Sequence, residues 1–249
     1  MINFNAMRHR VPVLKRLIPS AKKAYCRIFW KNGTGTVRSN GALFRLNYNN
    51  FVDRQIAFYG DYEDRQLAFL TSEMQRIKAD IFFDIGANIG FYTVILVKSE
   101  VINKVVAFEP DARNVECLKT NASLNGLSDQ IEVHQLAVSS QSGNVNFQPG
   151  PKNSTGQSKI TDDAVDTIDI PATTLDDFLT LAGRNIGVKI DVEGHELDVL
   201  KGMRRALQDN NCLLQIEVYR DNIPLVEDYL AVLGYTLKQQ LDHDYFYGR

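Results

Sequence analysis

FFDIGANIGFYT, residues 82–93, carries an apolar run into an acid, Asp84, and then into two glycines four apart, Gly86 and Gly90. A second apolar run, FYTVILVK, follows at once. A short apolar run, a glycine turn and a longer apolar run describe a strand handing over to a helix. A packed core needs neither a carboxylate nor a bare backbone at that junction, whereas a bound ligand uses both.

The same alternation continues downstream. KVVAF reads as a strand ending at Glu109-Pro110, and Asp111 caps a helix with the apolar face Ala112, Val115, Leu118 and Ala122, closed by Gly126. IEVHQLAV reads as a third strand, and residues 148–160, QPGPKNSTGQSKI, as a loop. Thr174 with Asp177 forms a capping box before Leu175, Phe178, Leu179 and Ala182. VKIDV is a fourth main strand, EGHELDVLKGM a helix, CLLQIEV a fifth strand, LVEDYLAVLG a helix stopping at Gly234, and DYFYG a terminal strand. This order predicts an α/β fold, a mostly parallel sheet with helices on both faces. Upstream, Asn40-Gly41 between TGTVR and ALFRL predicts a two-residue hairpin. Leu67, Leu70 and Met74 stand at helical spacing.

The 249 residues suit one large domain or a domain with an extension, and 44% apolar with 23% charged residues suits a buried core. Three scattered cysteines form neither a disulfide framework nor a metal motif, which fits a reducing, cytoplasmic setting. No apolar run approaches the roughly 18 residues of a membrane span, and the start lacks the apolar core of a secretory signal.

The net charge of −2 conceals an asymmetry. Residues 1–52 hold ten Lys or Arg and no acid, while residues 53–249 carry eighteen bases against thirty acids. The division predicts a basic extension over 1–52, a helical segment followed by the hairpin, and a main domain over 53–249. Arg8, Arg10, Lys15, Arg16, Lys22, Lys23, Arg27 and Lys31 alternate with apolar residues. Two readings follow for residues 1–31: a helix packed on the acidic main domain, or a peripheral contact with an anionic membrane. Pro12 and Pro19 interrupt the stretch and favour the first.

Four strands end on or beside an acid: Asp84, Glu109, Asp191 and Glu217. In an open parallel sheet the ligand crevice lies at that rim. Gly86-Ala87-Asn88-Ile89-Gly90 lacks the middle glycine that admits a pyrophosphate, and Asp84 would repel one. Glu109 lies 19 residues beyond Gly90, close to the ~20-residue spacing of an acid that bonds ribose hydroxyls. Ribose, cationic groups and no pyrophosphate describe S-adenosylmethionine. A nicotinamide-dependent oxidoreductase is the second reading, and a non-catalytic binding protein on the same fold is the third.

FDIGANIGFYT, VVAFEPDARNVECLKTNASLN, HQLAVSS, TTLDDF and VKIDVEGHELDVLKGM together resemble the FkbM family of S-adenosylmethionine-dependent methyltransferases, over roughly residues 50–220. The resemblance implies a Rossmann-like seven-stranded sheet with an antiparallel last strand, and methyl transfer to a hydroxyl of a sugar, glycan or natural product. Carried over by position, it implies that Asp84, Gly86, Asn88 and Gly90 hold the methionine end of the cofactor. Glu109 would bind the ribose, Pro110 would shape the following turn, Leu136 and Ala137 would border the adenine, and Asp191 would lie below the sulfonium.

A hydroxyl acceptor needs a base. Asp191 and Glu217 are the nearest carboxylates, with Lys189 on the face of Asp191. His195 has a suitable ordinary pKa but falls just inside a helix, where a solvated position is the plainer reading. Glu193 and Glu196 suit the same helix start. Asp191, Glu193, His195 and Glu217 can also be read as a loose metal set, but side chains at that spacing need not point together, and no metal is expected. Tyr59, Tyr62, Glu63 and residues 153–158 are candidates for the acceptor side, a small molecule or carbohydrate. Nothing in the sequence calls for nucleic acid.

Overall fold

A computed structural model describes residues 12–60, 62–161, 165–179 and 182–249, with the backbone alone for 12–18. Arg8 and Arg10, and with them the first part of the 1–31 segment, lie outside the described residues. In chain order the elements are α1 (Pro12–Phe29), β1 (Thr34–Ser39), β2 (Ala42–Asn47), α2 (Phe51–Phe58), α3 (Asp64–Ile77), β3 (Ile81–Ile85), α4 (Phe91–Lys98), β4 (Val105–Phe108) and α5 (Ala112–Leu124). They continue with β5 (Ile131–His134), β6 (Ala137–Val138), β7 (Gly143–Gln148), β8 (Lys159–Ile160), β9 (Ile168–Thr173), α6 (Leu175–Phe178), β10 (Asn185–Ile190) and α7 (Glu196–Lys201). The last are α8 (Arg204–Asp209), β11 (Asn211–Glu217), α9 (Ile223–Val232), β12 (Thr236–Leu241) and β13 (Asp244–Gly248).

Seven strands form the central sheet in the order β12-β13-β11-β10-β3-β4-β5. The five from β5 to β11 run parallel. β13 is antiparallel to both of its neighbours. The chain winds outward from β3 to β5, then returns to lay β10 and β11 on the other side of β3. The switch point therefore lies between β3 and β10, the place where a doubly wound sheet opens a crevice.

Strand alternation sends successive side chains to opposite faces. On one face Phe82, Val105, Ala107, Leu213 and Phe246 pack with α3, α4, α5 and the hairpin. On the other, Phe83, Ile85, Val106, Val188, Ile190 and Leu214 meet Val199, Leu200, Leu207, Val226 and Leu230 from α7, α8 and α9. Each fully buried side chain of this size contributes about 1.5–3 kcal/mol over an exposed one.

The Asn40-Gly41 turn has positive φ at both residues, 45° and 83°, as a type I′ hairpin requires. The free side of β2 is satisfied by side chains of α5. Asn125 accepts from Leu43 N at 2.8 Å and donates to Leu43 O at 2.7 Å, while Asn121 accepts from Arg45 N at 2.8 Å. Two asparagines thus stand in for a neighbouring strand and lock the hairpin to the main sheet's helical layer.

Four details differ from the sequence reading. IEVHQLAV is two strands: β5 stays in the central sheet, and β6 leaves it for a second sheet, β6-β9-β7-β8. Ala112 is exposed, because the core face of α5 begins at Val115. The loop over 148–160 contains a 3-10 turn, Thr155–Gln157, and β8. The helix capped by Thr174 ends at Phe178, and the Asp177 carboxylate bonds Ser142 rather than closing the box.

Candidate active site

At the end of β3 the chain must turn beside β10. The amides of Gly86 and Ala87 donate to Phe108 O at 2.9 and 3.1 Å, tying the turn to β4. A β-carbon on Gly86 would overlap the carbonyl oxygen of Asp191, and φ is +82° there. Only glycine lets these two strand ends approach so closely. Asn88, also at positive φ, comes next and turns its amide toward Glu109.

Glu109 is the most heavily bonded acid of the rim. Its carboxylate accepts from Asn88 N at 2.7 Å, Asp111 N at 2.9 Å and Asn114 Nδ2 at 3.3 Å. Burial pushes its pKa up to about 7, against the lowering pull of those N–H groups. A buried carboxylate pinned at three points presents a rigid acceptor edge.

A cleft of about 560 Å³ opens over this rim. Gly86, Asn88, Glu109, Pro110, Leu136, Ala137 and Asp191 all line it. Its roof is the 150–160 segment, which contributes Thr155, Gly156 and Ser158. The roof is pinned on both sides. Asn50 Nδ2 donates to Thr155 Oγ1 at 2.6 Å, and Ser158 Oγ donates to Asp111 Oδ2 at 3.1 Å. These roof residues, read from the sequence as acceptor-side candidates, face the same cleft as Glu109.

A smaller cavity adjoins the cleft, bordered by Tyr62, Glu63, Asp84, Asn88, Lys189 and Asp191. Beneath it a polar row crosses four strands on one face: Asp84, Lys189, Gln215 and Asp244. Register places Lys189 opposite Asp84 on one side and Gln215 on the other. Lys189 Nζ donates to Asp191 Oδ2 at 2.7 Å and lies 5.0 Å from the Tyr92 ring centroid. Gln215 Nε2 donates to Tyr92 Oη at 3.0 Å and to Asp244 Oδ1 at 2.7 Å. Burial pulls the Lys189 pKa down, but Asp191, Glu63, Asp84 and Glu217 together hold it above its ordinary value. The lysine is therefore a buried cation within an excess of acids.

The remaining predicted residues separate into distinct places. Asp84 Oδ2 accepts from the amide and the hydroxyl of Thr93, so Asp84 steadies the start of α4 as well as bordering the inner cavity. Gly90 borders neither cavity; a β-carbon there would meet Leu118 Cγ at 2.7 Å, and it serves the packing of α4 on α5. Glu217 accepts from Tyr219 Oη at 2.9 Å. Burial, with Asp191 adding its charge, pushes Glu217 up to about 8. His195 shares a 2.9 Å bond with Ser139 Oγ and lines neither cavity. Among the described residues no group of three or more His, Cys, Asp or Glu is placed to share a metal ion.

In the sequence Glu193 reads as a helix-start residue or as a member of the loose metal set. It lines the cleft instead, at φ +54°, with burial, Asp191 and Glu196 raising its pKa to about 7. A polar residue followed by Gly194 at the end of a core strand is the signal that was available.

The chain's sequence matches the methyltransferase FkbM domain over residues 84–237. It is 33% identical over 179 residues to the hexuronic acid methyltransferase AglP of Haloferax volcanii, covering 68% of this chain and 70% of that protein. It is 27% identical over 143 residues to methyltransferase 1 of Beauveria bassiana, covering 48% of this chain and 57% of that protein. Among solved structures it resembles human methyltransferase 10 domain containing protein, at 14% identity and a TM-score of 0.49 over 92% of this chain and 95% of that one. The chain belongs to the FkbM methyltransferase family. It is an enzyme, and its methyl donor is S-adenosylmethionine.

The residues present fit that cofactor. Asn88 Oδ1 and Glu63 Oε2 are buried without a hydrogen-bond partner and both border the inner cavity. They ask for a donor such as an ammonium. The surrounding excess of carboxylates favours a cation over a phosphate.

Proposed function

We propose that the enzyme methylates a hydroxyl of a carbohydrate acceptor, with Asp191 as the base that receives the hydroxyl proton. One observation carries this reading: among the described residues Asp191 is the carboxylate that borders both the cleft and the inner cavity. A group at that joint is within reach of the reacting end of a donor that spans both spaces and of an acceptor arriving beside it. Lys189 acts as the positioning residue, holding Asp191 by the 2.7 Å bond. When bound, the cofactor supplies an electrophilic methyl group.

In this reading Glu109 accepts from the ribose hydroxyls, and Leu136 and Ala137 flank the adenine with Pro110 shaping the adjacent wall. Gly86, Asn88 and Asp84 surround the methionine end, and Gly90 contributes only through the placement of α4. Glu217 and His195 stand behind Asp191 as secondary candidates for the base.

The acceptor enters from the α2–α3 side. Tyr62 and Glu63 border the inner cavity and also an outer depression shared with Gln55, Tyr59, Arg65 and Asp242. Aromatic rings beside short polar groups suit a sugar face. The hexuronic acid named for the Haloferax relative supports an acidic sugar, and Arg65 offers a guanidinium for its carboxylate. A panel of neutral and acidic sugars and glycosides, supplied with labelled methyl donor, tests the reading. Label in a sugar hydroxyl is the expected result, and transfer only to amines or thiols refutes it.

A further inference from the structure

We propose that the C-terminal half of α1 docks this enzyme on an anionic membrane surface. The helix is anchored on one side only. Cys26 is buried, and the Trp30 ring, just past the helix end, covers Gly35 and stacks on Tyr48 at 6.1 Å. The adjoining face carries Tyr25, Ile28 and Phe29, which are 58%, 73% and 67% exposed. In the sequence, Ile18 and Leu14 stand seven and eleven residues before Tyr25, continuing the same helical spacing. Beside this stripe an apolar groove of about 920 Å³ runs between the helix and the hairpin, lined by Ala21, Tyr25, Cys26, Trp30, Val37 and Ala57.

Charge decides what covers the stripe. Lys23 and Arg27 are exposed on the opposite, polar side of the helix, Lys31 is exposed just beyond its end, and residues 1–52 hold ten bases and no acid. A second copy would bring its own Lys23, Arg27 and Lys31 toward those of the first, like charge against like. An anionic bilayer offers hydrocarbon to Tyr25, Ile28 and Phe29 and phosphates to the bases, the pattern of an interfacial helix. No helix among the described residues is long and apolar enough to cross a membrane, so the contact is peripheral.

The placement also serves the site. The helix packs on α2. At the start of α2, Phe51 N donates to Asn153 O at 3.0 Å, and Asn50 bonds Thr155 in the roof. Docking through α1 sets the roof of the cleft one helix away from the lipid surface.

The test is co-sedimentation of the full chain with phosphatidylglycerol–phosphatidylcholine vesicles and with phosphatidylcholine alone. Binding to the anionic vesicles, weakening as salt rises, is expected. Lys23→Glu/Arg27→Glu/Lys31→Glu should lower it by about a hundredfold. Tyr25→Ser/Ile28→Ser/Phe29→Ser should lower it at least as far, with cofactor affinity unchanged. Ile28→Ser alone serves should the triple variant fail to fold. No binding at low salt, equal binding of the variants, or a dimer that the apolar variant dissociates would overturn the proposal.

Discussion

Lys189, 5% exposed, bonds Asp191, 27% exposed, so a cation sealed inside the sheet fixes a carboxylate that can reach a ligand. The two share a strand face, with Asp191 one step beyond the last residue of β10. In the proposed reading, such a pair holds the proton-accepting carboxylate in one place.

Asp191→Asn preserves shape and removes the charge. With Asp191 as base, kcat should fall by about 10²- to 10⁴-fold while cofactor affinity changes little. Steady-state kinetics with calorimetry on the same variant separate the roles. Normal turnover in Asp191→Asn with a collapse in Glu217→Gln would move the base to Glu217.

Glu109→Ala should weaken S-adenosylmethionine by about 1–3 kcal/mol, since ribose hydroxyls and the Asn88 and Asp111 amides all lose an acceptor. Glu109→Gln keeps one carbonyl oxygen for those amides and should lose less. Titration calorimetry checks the order, and equal affinities for all three proteins would remove Glu109 from the cofactor site.

Stability should fall as pH rises from about 5 to about 8. Burial raises Glu109 and Glu193 to about 7, Asp244 to about 6 and Glu217 to about 8. Each folded-state pKa lies above the unfolded value, so in this window the folded chain holds protons that the unfolded chain has released. Raising the pH therefore favours unfolding. Thermal melts at constant ionic strength read the trend, and Glu217→Gln should flatten its upper end. A melting temperature that climbs across the window contradicts the assignment.

Gly90→Ala is expected to destabilise the fold by about 1–3 kcal/mol. Its β-carbon meets Leu118 Cγ at 2.7 Å, and φ is +79°. Denaturant unfolding measures the loss. A neutral result would mean that α4 and α5 shift apart easily, contrary to their shared core.

The parts of this site legible in the sequence are those encoded within one segment. The turn from Asp84 to Gly90 announces itself by glycine spacing, and Glu109 by its distance from that turn. The polar row was hidden because Asp84, Lys189, Gln215 and Asp244 each look like one polar residue in an apolar strand. Only register across β3, β10 and β11 lines up the first three, and Asp244, opposite Glu217 on β13, joins them through the bond from Gln215. The break between β5 and β6 falls at Gln135-Leu136, where no glycine or proline marks it. Asn121 and Asn125 read as poor helix formers, and their service to the backbone of β2 depends on a hairpin some eighty residues upstream.

β13 follows every other strand in the sequence yet lies inside the sheet, between β11 and β12. A chain emerging from the ribosome therefore presents β11 with a bare edge until residues 244–248 have been made. Leu214 and Ile216, paired at last with Tyr247 and Tyr245, are in that interval an open template for another strand. Shortening the chain before Asp244 should thus be felt first as clumping of nascent protein, well before any question of catalysis arises.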